Sequence, residues 1–169
     1  DLPISRAALA KELHLTKATI SNIVQELMDQ NLVAEIGSAQ TALGRKPILM
    51  EFQKKCGYAF SIDVHPRQII TLTSDLKGED CHLREYPFRE EDCLLELLRR
   101  IIKETIPRCQ DAPYGIVGIS IGIYGVVRDN EIIFTPYYPL PEPHLGKILA
   151  EEFGIPVTVE NESNLFVLG

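Results

Sequence analysis

The sequence has no long uninterrupted run of apolar residues. Its longest apolar stretch, residues 119–127, is broken by one serine and two glycines, whereas a membrane-spanning helix needs roughly 20 apolar residues in a row. The N-terminus carries charged residues at scattered positions and lacks the apolar centre of a secretion signal. We therefore predict a cytoplasmic protein that makes no contact with a membrane.

Paired cysteine motifs are also absent. The four cysteines have no CxxC spacing and no regular interval, which argues against a zinc ribbon and suggests no disulfide framework. We expect all four to be reduced and structural. We assign no metal and no cofactor to this chain.

The sequence has no excess of basic residues. Its net charge is −7, and up to Glu51 it has five Lys and Arg against six Asp and Glu. Nucleic acids bind basic surfaces, so DNA binding would have to depend on where the few cations lie.

The overall composition is that of an ordinary globular protein. It is 45% hydrophobic and 24% charged over 169 residues, which suits one large domain or two smaller ones.

Two short helices are predicted near the N-terminus. The first runs from Ser5 to His14, with Ser5 as its N-cap and apolar residues at helical spacing. Thr16 caps the second helix, which ends at Asn31, a residue suited to the left-handed conformation after a helix. The apolar positions of the second helix recur every three or four residues: Ile20, Ile23, Val24, Leu27 and Met28.

These helices have the features of a helix-turn-helix. Such a pair packs closely only when small or aliphatic residues lie at the crossing, and we expect Ala10, Leu15, Ile20 and Ile23 to be buried there. The residues left outside, which could reach base edges and phosphates, are Lys17, Ala18, Thr19, Ser21, Asn22 and Gln25. An ordinary helical hairpin is the alternative, favoured slightly by His14 because such a turn more often has glycine.

A hairpin follows the helix pair. Residues 32–36 and 47–52 are short apolar or β-branched runs on either side of a flexible tip. Two adjacent cations stand in that tip, and in a winged domain we expect Arg45 in the minor groove and Lys46 on a phosphate. A solvated basic loop is the alternative. Residues 1–52 are therefore predicted to form a winged helix-turn-helix domain.

The rest of the sequence predicts an α/β domain over residues 57–169, with the boundary at residues 53–57. Strands followed by a helix, and then single strands with helices between them, are typical of this class. The predicted order is strands at 58–64, 68–74 and 81–88, a helix over 90–106, a strand at 116–123, a strand pair within 126–134, a helix over 144–153 and a strand at 157–160.

Four stretches carry a resemblance to a known family: SRAALAKELHLTKATISNIVQELMDQNLV followed by GRKP, YAFSIDVHPRQIITLTSDLKGE, GISIGIYGVV and EEFGIPVTVENESNLFVLG. They resemble the ROK family, which contains sugar-responsive transcriptional repressors and sugar kinases. The first stretch is similar to the DNA-binding domain of the repressors, and the others are similar to the opening strands, the glycine-rich strand and the sugar-site segment of the ROK domain. The resemblance implies the first half of an actin-like, ribonuclease-H-like α/β domain, in homodimers or homotetramers.

The resemblance also implies segments that this sequence does not contain. Family members usually have a helix before the region of Pro3. They also have a long segment after the region of Gly169, in which a histidine and a cysteine cluster hold structural zinc. We expect any such zinc to lie outside this chain.

Two departures from the kinases of the family predict a domain without catalysis. The kinases wrap the ATP phosphates with a glycine-rich turn after the first strand, because backbone amides come close only where side chains are missing. Here that turn spans Asp63–Pro66, which contains no glycine. The kinases also place a catalytic Asp after the Asn of the last motif, where this sequence has Asn161 and Glu162. We predict no catalytic residue.

A sugar could still bind without being phosphorylated, since amide and carboxylate groups match paired sugar hydroxyls. We predict Asn161 and Glu162 as sugar ligands, Gly125 as lining the approach and Glu160 as a weaker candidate, which alternatively is only solvated at a strand end. The tyrosines at 137–138 fall where the resemblance suggests a sugar-binding Asn, and their rings either stack on sugar or fill the core.

The predicted function is a transcriptional repressor that binds a double-stranded DNA operator under the control of a sugar or sugar phosphate. One alternative is an ATP-dependent sugar kinase with an accessory DNA-binding domain. Another is a protein-interaction module, because winged helices sometimes bind proteins.

Overall fold

The computed structural model describes residues 3–38, 47–139 and 142–164 of the chain. The chain divides into two compact units, Asp1–Cys56 and Gly57–Gly169. Each unit has its own cluster of buried apolar residues. In the described ranges, no helix is both long enough and apolar enough to span a bilayer.

The first unit combines a helix pair with a small antiparallel sheet. Its elements are β1 (Ile4–Ser5), α1 (Arg6–Glu12), α2 (Lys17–Asp29), β2 (Val33–Ser38) and β3 (Ile48–Phe52). The strands are ordered β1-β3-β2, and both pairings are antiparallel. The helix pair and the hairpin predicted from the sequence are confirmed, with Ser5 and Thr16 as the N-caps of the two helices.

The core of the first unit is small. It contains Ala10, Ile20, Val24 and Met50. The prediction that Leu15 and Ile23 are also buried is wrong, since their exposed fractions are 43% and 41%. Residues four apart on α2, Ile20 and Val24, share the inward face. Ile23 is rotated away from that line, and Leu15 lies in the turn beside it.

The second unit is a mixed α/β domain. Its strands are β4 (Tyr58–Val64), β5 (Gln68–Asp75), β6 (His82–Pro87), β7 (Ile116–Ile123), β8 (Val126–Arg128), β9 (Glu131–Phe134) and β10 (Val157–Asn161). Its two longer helices are α3 (Leu94–Thr105) and α4 (Leu145–Phe153). The predicted α/β class is confirmed.

The main sheet of this unit has the strand order β10-β7-β4-β5-β6. The strands β4, β5 and β6 form an antiparallel meander, whereas β4, β7 and β10 run parallel. The buried sides of α3 and α4 join the apolar core of this sheet. The parallel arrangement brings the carboxyl ends of β4, β7 and β10 to one edge, where ligands commonly bind in sheets of this kind.

The helix α3 begins later than predicted. It starts at Leu94 and not at Glu90, because residues 89–92 form a turn. The Asp92 carboxylate accepts a hydrogen bond from the backbone N–H of Arg89 at 2.8 Å, and the Asp92 N–H donates to the Arg89 carbonyl at 3.0 Å. A side chain that closes a turn competes with helix formation.

A tight hairpin joins β8 and β9. Asp129 and Asn130 both have positive φ angles, 51° and 68°, as two-residue hairpin turns require. The Asn130 side chain also contacts β10, since its amide nitrogen donates to the Val157 carbonyl and its oxygen accepts from the Val159 N–H. The turn residue therefore holds the hairpin against the edge of the main sheet.

The four cysteines are all free thiols. Cys56 and Cys109 are buried, in agreement with a structural role. Cys81 and Cys93 are exposed, so for these two the expectation of a structural position is wrong. They lie in the connections just before β6 and α3.

Candidate DNA-binding and effector surfaces

One side of α2 is exposed and largely polar. Every described residue of the predicted DNA-reading set is exposed: Lys17, Ala18, Thr19, Ser21, Asn22 and Gln25. The opposite side of the helix carries Ile20 and Val24, which are 1% and 2% exposed. The helix thus presents hydrogen-bonding groups outward while its aliphatic side holds it in the unit.

The start of α2 is fixed by local hydrogen bonds. The Thr16 hydroxyl accepts the backbone N–H of Thr19 at 3.1 Å, and the two threonine hydroxyls lie 2.9 Å apart. His14, which stands where glycine is commoner, adopts a positive φ of 55°. The first turn of α2 contains no acidic residue, so nothing there opposes the attraction of its exposed N–H groups for an anion.

Two further sets of contacts involve α2. The Arg6 guanidinium lies 3.0 Å from the Glu35 carboxylate and donates to the Met28 sulfur at 3.6 Å, which links the start of α1 to α2 and β2. The Gln25 amide donates to Asp29 at 2.9 Å and is therefore held along the helix surface. Sequence reasoning missed Arg6, because its partners are distant in the chain.

The two cations predicted at the hairpin tip, Arg45 and Lys46, lie outside the described residues. Their assignment to the minor groove and to a phosphate stays a prediction.

The predicted sugar ligands lie near the carboxyl ends of β7 and β10, but two of them are engaged with each other. The Asn161 amide nitrogen donates to the Gly125 carbonyl, and the Asn161 side-chain oxygen accepts the Ser163 N–H at 2.8 Å. A side chain at Gly125 would collide with the backbone of Phe134. Asn161 and Gly125 thus have a structural role at this edge of the sheet.

The two glutamates beside Asn161 differ in what their oxygens contact. One Glu160 oxygen accepts the Asn161 N–H at 2.8 Å and the Asn164 amide at 3.1 Å. One Glu162 oxygen accepts the Ser163 hydroxyl at 3.0 Å. The other Glu162 oxygen is buried and has no hydrogen-bond partner in the described part of the chain.

Asp63 brings a third carboxylate to this edge. It lies near the end of β4, and one of its oxygens lies 2.8 Å from His65 Nε2. Its other oxygen is buried and meets no hydrogen-bond partner among the described residues. The His65 ring lies 4.9 Å from the ring of Tyr124. From the sequence, Asp63 was noticed only as part of a missing phosphate loop, although its position at the carboxyl end of a strand was the available signal.

The tyrosines at 137 and 138 have different surroundings. Tyr137 is 59% exposed and lies edge-on to Tyr124, with 6.5 Å between ring centroids. Tyr138 is 6% exposed and packs edge-on against Phe88 at 5.4 Å. Burial, together with the charges of Asp63 and Glu162, raises the pKa of Tyr138 to about 12. Burial and the same two charges also raise the pKa of Tyr124.

A cavity of about 500 Å³ borders the carboxylates of Asp63 and Glu162. Its lining includes Ser61, Asp63, Ile70, Leu72, Ser120 and Glu162. Within residues 3–38, 47–139 and 142–164, no group of three or more His, Cys, Asp or Glu side chains could hold a metal ion.

Comparison with known proteins agrees with this architecture. The sequence model of the ROK family matches residues 59–169. The chain is 37% identical to a xylose repressor of Bacillus spizizenii and 34% identical to one of Bacillus subtilis, over 99% of this chain and 44% of each repressor. The chain thus spans less than half the length of these relatives, both of which are named as repressors.

Solved structures show the same relationship. A ROK family transcriptional regulator, a homologue of the E. coli Mlc protein, superposes with a TM-score of 0.72 and 25% identity, over 98% of this chain and 43% of that protein. A ROK family glucokinase from Streptomyces griseus shares the fold over 64% of this chain, with a TM-score of 0.51 and 20% identity. The first of these matches confirms the winged helix-turn-helix joined to part of an actin-like domain. The chain belongs to the ROK family.

Proposed function

We propose that this chain is the DNA-binding and effector-sensing part of a transcriptional repressor that responds to a sugar. The observation that carries the proposal is the exposed polar side of α2, held from behind by Ile20 and Val24. A helix of this kind fits the major groove with its first residues at the bases. The xylose repressors and the Mlc homologue among its relatives favour the same role.

In this proposal Lys17 neutralises a phosphate, while Ser21 and Asn22 contact base edges. Asn side chains pair with adenine in the major groove, and lysine contacts to phosphate are largely independent of sequence. Arg45 and Lys46 extend the contact into the minor groove.

A homodimer or homotetramer would present two such helices to half-sites about 34 Å apart. A protein that acts on an operator works in the cytoplasm.

The DNA-binding test uses fragments selected from genomic DNA by the protein itself. Lys17→Ala should weaken binding to every sequence and reduce the salt dependence by about one counterion. Asn22→Ala should instead reduce the preference for a selected fragment over a scrambled one. Lys147→Ala, an exposed lysine on α4, is the control of equal charge. Equal losses from Lys17→Ala and Lys147→Ala would contradict the proposal.

We propose the effector site at the edge formed by the ends of β4, β7 and β10. A sugar bound there changes operator affinity only if it binds one arrangement of the protein more tightly than the other. Repeating the DNA titration with a panel of sugars tests this coupling. A sugar that binds the protein without shifting operator affinity would show that the site does not regulate DNA binding.

The proposal includes no kinase activity. Two features support this part: the turn after β4 contains His65 and Pro66, and Glu162 stands where the resemblance to the kinases implies an Asp. Proline has no N–H to offer a phosphate, and His65 is engaged with Asp63 at 2.8 Å. The alternative is a sugar kinase with an accessory DNA-binding domain. Transfer of phosphate from ATP to any sugar of the panel would favour that alternative.

A further inference from the structure

A second cavity lies on the other face of the main sheet from the proposed effector site. Its volume is about 480 Å³, which is within the range of small-molecule sites. Thr71 and Thr73 of β5 line it, whereas Ile70 and Leu72 of the same strand line the cavity at the effector site. Successive side chains of a strand point to opposite faces of its sheet. The two cavities are therefore separate.

Two arginines from different elements border the second cavity. Arg84 lies on β6, and Arg108 lies in the short 3-10 helix Ile106–Arg108 that follows α3. Both are exposed, and neither forms an ion pair or a side-chain hydrogen bond within the described residues. His82 also lines the cavity, but the Asp80 carboxylate lies 3.5 Å from its ring. Arg84 and Arg108 are thus the cations that can bind a ligand here.

The cavity also contains a buried hydroxyl. Thr71 is 3% exposed, and its side chain makes no hydrogen bond with the described part of the chain. Thr71 is paired with Arg84 across β5 and β6, and side chains of such a pair project to the same face of the sheet. Buried polar groups are nearly always hydrogen-bonded in folded proteins. The Thr71 hydroxyl therefore indicates a ligand that completes it.

The end of α3 beside this cavity has little free negative charge. A helix C-terminus opposes an anion because its last carbonyls lack partners. Here the Ile101 carbonyl also accepts the Thr105 hydroxyl at 2.8 Å, and the Ile106 carbonyl accepts the Cys109 N–H at 3.0 Å. Neither Asp nor Glu is among the described residues that line the cavity. An anion bound here would meet mainly the two guanidinium groups.

The chemistry of this lining defines the ligand. A guanidinium binds phosphate through two parallel N–H bonds, and a phosphate ester carries about 1.5 to 2 negative charges at neutral pH. Hydroxyl groups such as that of Thr71 can donate to a third phosphate oxygen. The volume of about 480 Å³ leaves room for an organic group beside the phosphate.

We propose that this cavity binds the phosphate group of a small organic phosphate ester. Arg84 and Arg108 bind its oxygens, and the Thr71 hydroxyl donates to one of them. The bound ester links the edge strand β6 to the end of α3. The site is distinct from the effector site and does not depend on the proposed function.

The test measures how fast two exposed cysteines of the same protein are alkylated by iodoacetamide. Cys81 lines the cavity, and Cys93 lies outside its lining, so Cys93 is an internal control. The probes are D-ribose 5-phosphate, inorganic phosphate, D-ribose and succinate at constant ionic strength. D-ribose 5-phosphate at ten times its Kd should slow alkylation of Cys81 by about tenfold through occupancy of the site. Cys93 should react at an unchanged rate, and D-ribose and succinate should protect neither thiol.

Variants test the residues assigned to the phosphate. Arg84→Gln and Arg108→Gln should each raise the Kd of D-ribose 5-phosphate by about tenfold, because a charge-assisted hydrogen bond is lost. Arg128→Gln removes the same charge from an exposed position on β8 and should leave the Kd unchanged. Thr71→Val should raise the Kd by about threefold without lowering the free energy of unfolding, since the hydroxyl has no partner to lose.

Four results would overturn the proposal. Protection of Cys81 by neither phosphate compound would remove the site, and equal protection by succinate would remove its preference for phosphate. Tighter binding of inorganic phosphate than of the ester would assign the site to the free ion. A loss of operator affinity in Arg84→Gln as large as that in Lys17→Ala, with no phosphate compound added, would place this arginine on DNA instead.

Discussion

The side chain of Asn161 donates a hydrogen bond to the backbone carbonyl of Gly125. This contact joins the end of β10 to the turn after β7. A side chain at Gly125 would collide with the backbone of Phe134. Only a glycine at this position therefore lets the turn after β7 pack this closely against Phe134. The edge of the sheet at the proposed effector site is therefore fixed before any ligand binds.

Replacing Asn161 by Ala should destabilise the second unit. The change leaves the Gly125 carbonyl and the Ser163 N–H without their partner, and the expected loss is about 1–2 kcal/mol in the free energy of unfolding. Urea denaturation of the protein measures it. Asn164→Ala is the matched control, since Asn164 is exposed and should change stability by no more than about 0.5 kcal/mol. Equal losses from the two variants would contradict the role given to Asn161.

Replacing Ala10 by Leu should disturb the helix pair. Ala10 is buried against Ile20, Val24 and Met50 in a small core, and an added isobutyl group there should cost about 1–3 kcal/mol. Ala7→Leu adds the same group at an exposed position of the same helix and should be nearly neutral, because the two residues have similar helix propensities. Urea denaturation followed by helical circular dichroism compares them. If both variants were equally stable, the proposed crossing of α1 and α2 would be wrong.

The tyrosines should titrate in separable steps at high pH. Of the six tyrosines, Tyr138 should ionise last, since burial raises its pKa from an ordinary value of 10.0 to about 12. Because the pKa is raised in the folded state, the associated stability is complete below about pH 10 and is lost as the pH rises toward about 12. Ultraviolet absorbance of the phenolate follows the titration. Tyr138→Phe should remove the ionisation step at the highest pH. If that step remained in the variant, it would belong to another tyrosine and the prediction would be wrong.

Much of the fold follows from local patterns. Ser5 and Thr16 cap helices because short hydroxyl side chains satisfy the first free N–H groups, and the strand at Ile116–Ile123 is recognisable from its apolar run. The start of α3 was misplaced because the turn closed by Asp92 depends on one side-chain contact. The burial of Ile23 was misjudged because helical spacing alone does not show how wide the facing core is.

The candidate effector site shows more clearly what the sequence alone does not predict. The sequence identified Glu162 from a motif, but it did not connect Asp63 with it. These residues are far apart in the chain, and the parallel pairing of β4, β7 and β10 brings their elements together.

By itself, then, the sequence determined the helix caps, the order of strands and helices, and which side of α2 is polar, because these depend on neighbouring residues and their period. Only the tertiary structure decided which polar groups are used up inside the fold, such as Asn161 and Gly125, and which are left open, such as Asp63 and Glu162. The physical reason is that hydrogen-bond satisfaction depends on atoms brought close by folding, and their spacing along the chain does not reveal it.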